Sequence, residues 1–579
     1  MKFNNIHKIL LLTITTFLFV GCNYLDETPY DWSQPEDVFS MEANYVRPVN
    51  QAYSYIRGGF NSVSGSFLDA ATDDGMSTIN TSAIHRLSRG YVRSNSPVQS
   101  PWNNSYQGIR QAIFAQKHLT EIELVLNKTT PEEVIGIKNT YIGEMYALRA
   151  LFEFDLLKHY GGYPIIDKYY TLGDPELSVI KRSSYSDCVN HIVSLSDSAI
   201  KYLDVAPIGG TGGFGRMTKG AAMAIKAKTL IFSASPLFNQ SGNSNELIGY
   251  TNSNEEEVSN RWTRAAAACA DVINLKNPNG SNVYSLYSSY EKLFTASPNN
   301  EYILFVGAPK SNGLENRQYP PSISKNLGGG TVPTQEFVDA FSMVNGAEYT
   351  RGDLSVQYNN RDPRFNVIIG YNGSTYGKLG KIYTKLGDGS TSDALNAVVD
   401  RSTNTGYYLK KFLDFNINFS LANPGTTFHL FPIIRLSDIL LLYAEAMNEV
   451  YGPDVDPNNF GLTAKDAVLA VRTRAGFKSD DQFLNNVTTK ELMREKIKNE
   501  RRIELSFEEQ RYFDLRRWMD GDKLNRPVTG IRIIQNGNTL DYSNFTVDDL
   551  RKFSPHMYLH PIPLNEIKVS PQIVQNPGW

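Results

Sequence analysis

Apolar positions along this chain recur at helical spacing in two blocks, separated by a long stretch where that spacing is lost. An unbroken apolar run, "ILLLTITTFLFV" (Ile9 to Val20), comes first, and a short segment with Pro29 and Pro35 follows it. Helical periodicity begins near Val38, lapses over a glycine- and serine-rich insert at 58–101, and returns over 102–126, 131–160, 185–203, 217–237 and 259–274. Thr130-Pro131-Glu132-Glu133 marks one helix start, with proline at the first helical position and acids in the first turn. The apolar face that follows, Met145, Leu148, Phe152, Leu156 and Tyr160, stops at Gly161-Gly162. From about 280 to 430 the pattern changes. "EYILFVGAP" reads as a strand, and Gly, Asn, Tyr and Pro fill the loops beside it. Helices are predicted again at 433–451, 463–475 and 488–520, before an extended, proline-rich tail ending "NPGW".

Helix pairs joined by short links predict a mainly α fold, a tetratricopeptide-like superhelix, although no strict 34-residue repeat is visible. The expected organisation is a signal segment at 1–21 and a tether at 22–36. A helical region with its loop insert would span 37–279, a loop-rich and partly β subdomain 280–430, and a second helical region with the tail 431–579.

Composition sharpens the class. The 579 residues are 41% hydrophobic, enough for a large core, and include 33 Tyr and 29 Phe. The formal charge is −3, with Lys and Arg spread along the chain, so there is no basic stripe suited to nucleic acid. Lys2 and Lys8 precede the first apolar run, which has signal-peptide length. Loss of 1–21 would take the charge to about −5. Leu18-Phe19-Val20-Gly21-Cys22 resembles a bacterial lipobox, with Leu18 one place before its usual position. Cys22 is therefore the expected lipidation point, and a multiply acylated cysteine anchors stably at about 0.8 kcal/mol per buried CH₂. Asn23 after it fits an outer-membrane lipoprotein. Cys188 and Cys269 lie on helical patterns as small buried hydrophobes, not as a disulfide framework.

The catalytic readings are weak. "GTGGFG" (210–215) matches a dinucleotide loop literally, but a helical pattern precedes it and one long helix follows, so it reads as a loop entering a helix. His556 and His560 have metal-ligand spacing, yet Pro555, Pro561 and Pro563 argue against a helix there. Glu500/Glu504 and Glu508/Glu509 could be offered as a glycosidase pair. They interleave with Arg501, Arg502, Arg511, Arg516 and Arg517, which predicts a compensated salt-bridge network on a helix.

A series of longer motifs is more specific. "CNYLDETP", "GEMYALRALFEFDLLKHYGGYPI" and "GRMTKGAAMAIKAKTLIF" are followed by "IIRLSDILLLYAEAMNE", "VRTRAGF", "ERRIELSFEEQRYFDLRRW" and "HPIPLNEIKVSPQIVQNPGW". In that order they resemble the SusD/RagB family of outer-membrane nutrient-binding lipoproteins over essentially the whole chain. The resemblance implies about four tetratricopeptide-like helix pairs under a variable loop-rich region. It also implies a non-enzymatic role without cofactor. The protein would sit on the cell surface, capture oligosaccharide, and form a lid over a SusC-like TonB-dependent transporter.

A sugar offers hydroxyls and C–H faces, so its site needs aromatic planes beside hydrogen-bonding side chains. By resemblance the glycan site takes Asp73 from "DAATDDGMSTIN" and Trp102 and Asn104 from "PWNNSYQG". Arg86 is a further candidate, although its spacing departs from the family pattern. Arg317 and Tyr319 in "KSNGLENRQYPPS" are nominated by composition and loop position. Trp102 with Tyr106 at i+4 fits core packing equally well. Trp262, Trp518 and Trp579 are assigned to the framework. Alternative functions are a surface glycoside hydrolase, binding of a non-glycan nutrient such as peptide, and a scaffold that contacts only proteins.

Overall fold

The computed structural model describes residues 42–121, 130–295, 299–307 and 309–579; the signal segment, Cys22 and the tether lie outside the described residues. The first helical block forms α1 (Arg47–Tyr53), α2 (Trp102–Glu121), α3 (Pro131–Tyr160), α4 (Tyr185–Tyr202), α5 (Lys219–Ala234) and α6 (Glu255–Ile273). The second forms α7 (Leu436–Tyr451), α8 (Ala464–Ala475), α9 (Lys490–Glu504) and α10 (Gln510–Arg517). Neighbours pack in succession from α2 to α6. Then α6 packs on α7, and α7 on α8 and α9, although about 160 residues of chain separate α6 from α7. One hydrophobic cluster runs through both blocks, from Val49 through Leu148, Ile225 and Cys269 to Leu442 and Ile497. The two helical regions therefore share one core.

Local chemistry sets the helix ends. Thr130 and Glu133 form a capping box at the start of α3, each side chain bonding the other's backbone N–H. Gly161 ends it at φ 76°, and a Cβ on Gly162 would lie 2.2 Å from the Ser183 carbonyl oxygen, so the chain passes there only as glycine.

The helix expected over 488–520 is two helices. Phe507 (φ 58°) and Glu509 (φ 63°) take left-handed backbone between α9 and α10. The buried Asp69 carboxyl holds this break by accepting from the N–H groups of both residues, each at 3.2 Å. Burial, with Asp74 and Glu509 adding to it, pushes Asp69 up to about 8. Phe507 is thereby turned into an aromatic cluster with Phe67 and Phe337 that forms the core of the loop-rich part.

That part contains short strands: β1 (Gly75–Ser77), β2 (Tyr302–Gly307), β3 (Thr331–Pro333) and β4 (Leu430–Arg435). β1 pairs antiparallel with β3, and β2 with β4. A longer hairpin, β5 (Val528–Asn536) and β6 (Thr539–Asp548), turns at Gly537 (φ 58°). The sequence reading passed over it, although Asn536-Gly537 is a strong hairpin signal.

The charged motifs meet in the interior. Glu504 of α9 accepts from Arg364 (3.0 Å), Arg435 (2.6 Å) and Arg474. Arg435, at the joint of β4 and α7, also holds Glu301 at 2.7 Å and Glu508 at 2.8 Å. Lys411 reaches Glu508 at 2.6 Å. Arg501 bridges Asp438 and Asp514 at 2.9 Å each, and Arg517 joins Asp514 at 2.8 Å to Glu445 at 2.6 Å. Lys228 of α5 closes on Asp438 at 2.5 Å. The sequence placed these pairs along a single helix. Most of them instead cross between elements, because α9 turns Glu500, Arg501 and Glu504 inward together with Met493, Ile497 and Ile503. Burial raises the Glu504 and Asp438 carboxyls and the facing cations more than offset it. Glu504 is held well below its usual range, and Asp438 falls to about 2.

Two outcomes follow from these contacts. Removing Glu504 leaves three guanidinium groups underpaired in the interior. Glu504→Ala should lower unfolding free energy by roughly 3–5 kcal/mol, seen as a lower urea midpoint at unchanged slope. His191 sits between Glu153 (2.5 Å) and Asp167 (2.8 Å). Burial alone would lower its pKa, but the two carboxylates outweigh that and lift it to about 9. Its stabilising contribution is therefore full below pH 6.5 and lost as pH rises through about 9. The stability gap between the native chain and His191→Gln should shrink over that interval in urea titrations.

Candidate functional site

The insert at 58–101 meets the segment 318–333, which starts in the later nominated loop. β1 aligns Met76 with Val332, the Gln318 amide donates to Asn61 at 2.6 Å, and the Phe67 N–H donates to the Thr331 hydroxyl at 2.9 Å. The nominated rings, however, do not reach the surface at this junction. Trp102 is 3% exposed and packs against Tyr106 and Tyr160, with ring centres 5.0 and 5.2 Å away. Tyr319 is fully buried against Tyr376, Phe415 and Phe419, and its hydroxyl donates to the Asp414 carbonyl at 2.7 Å. Asp73 is clamped by Arg511 (2.8 Å) and Arg502 (3.2 Å), which hold its carboxyl well below the usual range against the effect of burial. These three residues serve the framework, because helix packing and ion pairing occupy the groups a sugar would need.

The other three keep partial access to solvent. The Asn104 amide donates to the Tyr55 carbonyl, and the Arg86 guanidinium donates to the Ser96 carbonyl. Half-buried Arg317 lies beside the tight turn at Gly65 (φ 84°), its Nε 3.5 Å from where a Cβ there would stand, and burial lowers its pKa.

Exposed aromatic planes lie elsewhere, in an open groove of about 790 Å³ between the helical body and the loop-rich part. One wall comes from α1 and the glycine-rich loop before α5. Arg216 fixes that loop. Its guanidinium donates to Glu144 of α3 at 2.7 Å from Nε, with a second bond from Nη2, and to Asn50 at 2.9 Å, and it lies over the Tyr53 and Tyr141 rings. The Met217 N–H adds a 2.9 Å bond to the Tyr53 hydroxyl. With Arg216 pinned, Phe214 stands outward, 53% exposed.

The facing wall is the end of the β2–β4 ladder. Gly307 pairs with Leu430, and beyond it Ser311 and Thr427 bond in both directions at 3.0 Å. Period-two alternation then turns His429 and Phe431 inward, leaving Phe428 (57% exposed) and Leu430 on the groove. The Lys310 ammonium lies 5.1 Å over the Phe428 ring. Threonines 295, 426 and 427 and Asn50 supply hydrogen-bonding groups among these rings.

Sequence reasoning missed Phe214 and Phe428. The usable signal for the first was an aromatic residue inside a glycine-rich loop, where no helical or strand neighbour could cover it. For the second it was the alternation in "TFHLF".

Two family models cover most of the chain. Residues 296–579 match the SusD family, and residues 23–230 match a family described as "Starch-binding associating with outer membrane". This chain belongs to the SusD family. A SusD-like protein P25 of Formosa agariphila is 22% identical over 601 residues, covering 98% of each chain. The crystal structure of a SusD-like protein from Bacteroides fragilis superposes with TM-score 0.74 at 26% identity, over 94% of this chain and all of that one. A SusD-like carbohydrate-binding protein of the same species gives 0.71 at 20% identity, over 93% and 100%. The helical frame with its loop-rich cap is thus the SusD fold, and the motifs in the buried ion network are those that carried the resemblance.

If Trp102 belongs to this frame, its loss should affect stability. Trp102→Ala should cost roughly 3–5 kcal/mol, seen as a lower thermal midpoint.

Proposed function

We propose that this SusD-family protein is a cell-surface binder of oligosaccharides that uses the groove between Phe214 and Phe428 as its platform. The carrying observation is the pair of exposed phenylalanine rings on opposite walls of one open groove, beside threonine, asparagine and cationic groups. Such rings cover the C–H faces of sugars while the polar groups take the hydroxyls. The carbohydrate-binding relative in Bacteroides fragilis supports the same class of ligand. Arg317, at the other loop junction, would extend the contact for a longer chain.

Binding without turnover is the better reading of the acids. Among the described residues no carboxylate lines the groove; of the carboxylates offered as a glycosidase pair, Glu500, Glu504 and Glu508 are held in the interior, and half-buried Glu509 accepts from the Ser62 hydroxyl at 2.8 Å. On this reading Cys22 carries the lipid that holds the protein at the outer membrane. The captured sugar then passes to a SusC-like TonB-dependent transporter that the protein covers as a lid.

Calorimetry against a panel of oligosaccharides, with a reducing-sugar assay on the same samples, tests this proposal. Phe214→Ala and Phe428→Ala should each weaken binding about tenfold, equivalent to about 1.4 kcal/mol, with no sugar released. Release of reducing ends by the native protein would replace this reading with the hydrolase.

A further inference from the structure

We propose that the groove selects oligosaccharides bearing an anionic group, a uronate carboxylate or a sulfate ester, over neutral ones. This inference rests on the reading of the groove as the sugar platform. Two cations line it, Arg216 and Lys310, and among the described residues no Asp or Glu does. The protein as a whole is slightly acidic, so a groove without carboxylates is a local departure from its surface.

The two cations differ in their settings. Glu144 balances the charge of Arg216 from below, where it is fully buried. The same contacts fix the plane of the guanidinium. They engage Nε, Nη1 and Nη2 once each, and a guanidinium has five N–H donors, so donors remain for a bound group. Lys310 supplies uncompensated charge. It is exposed, its ammonium lies over the Phe428 ring, and no carboxylate of the described residues pairs with it. A sugar stacked on Phe428 would therefore present its ring substituents next to an ammonium that has no anion of its own. A carboxylate or sulfate there forms charge-assisted hydrogen bonds, whereas a neutral hydroxyl forms ordinary ones.

An exposed pair of this kind is worth about two- to fivefold in affinity, and salt screens it. The test uses three tetrasaccharides of comparable length: a galacturonate, a sulfated galactan and a neutral glucan. Each is titrated by calorimetry into the native protein, Lys310→Gln and Phe214→Ala, at about 50 mM and about 500 mM salt. The expected result is about a two- to fivefold preference for one or both acidic probes at low salt. That preference should collapse in high salt and in Lys310→Gln. Which acidic probe wins distinguishes carboxylate from sulfate. Phe214-dependent binding with no acidic preference, or a preference that survives Lys310→Gln, overturns the charge inference alone. If no probe binds, or binding is indifferent to Phe214→Ala, the groove reading falls and this inference with it.

Discussion

Arg435 stands where the loop-rich part becomes the helical body, and its guanidinium is shared among Glu301, Glu504 and Glu508. Glu504 is in turn shared with Arg364 and Arg474, so one buried cluster ties β4, α7, α8, α9 and the 280–430 region together. Charges out of water are costly unless every partner is in place. Such a cluster tolerates one relative arrangement of the elements that contribute to it. The hydrophobic core below it is large but undirected; the ion pairs determine which loop meets which helix.

The groove depends on that register. One wall is pinned to α1 and α3 through Arg216, Asn50 and Glu144, and the other is the far end of the strand that delivers Arg435 to the cluster. The same six-residue strand therefore anchors the interior at one end and shapes the groove at the other. The spacing between Phe214 and Phe428 follows from how the interior is tied, although neither ring touches an ion pair of the cluster.

Much of the fold was legible because helical periodicity, capping residues and motif order are local properties. Thr130, Pro131 and Gly161 mark the ends of α3 in sequence and in structure. The break at Phe507 and Glu509 was not legible, since it is held by Asp69, more than 400 positions earlier. The site was less legible still. Trp102 and Tyr319 have the composition of a sugar platform, but whether a ring is exposed depends on what packs over it. Here Tyr160 and Phe415 do so. Asn104, in the first turn of α2, and Arg317, on the short helix Gly313–Gln318, do keep part of their surface in solvent, as polar side chains usually do.

The glycine-rich loop before α5 has a further implication. Arg216 makes the attachment to the frame, and Phe214 lies two residues upstream with glycine on both sides. Nothing in the ion cluster or the core depends on what stands at position 214. A different side chain there would reshape the groove at almost no structural risk, whereas a substitution among the buried charged motifs would leave a partner charge unpaired. The shape of the groove is in this sense separable from the frame that carries it.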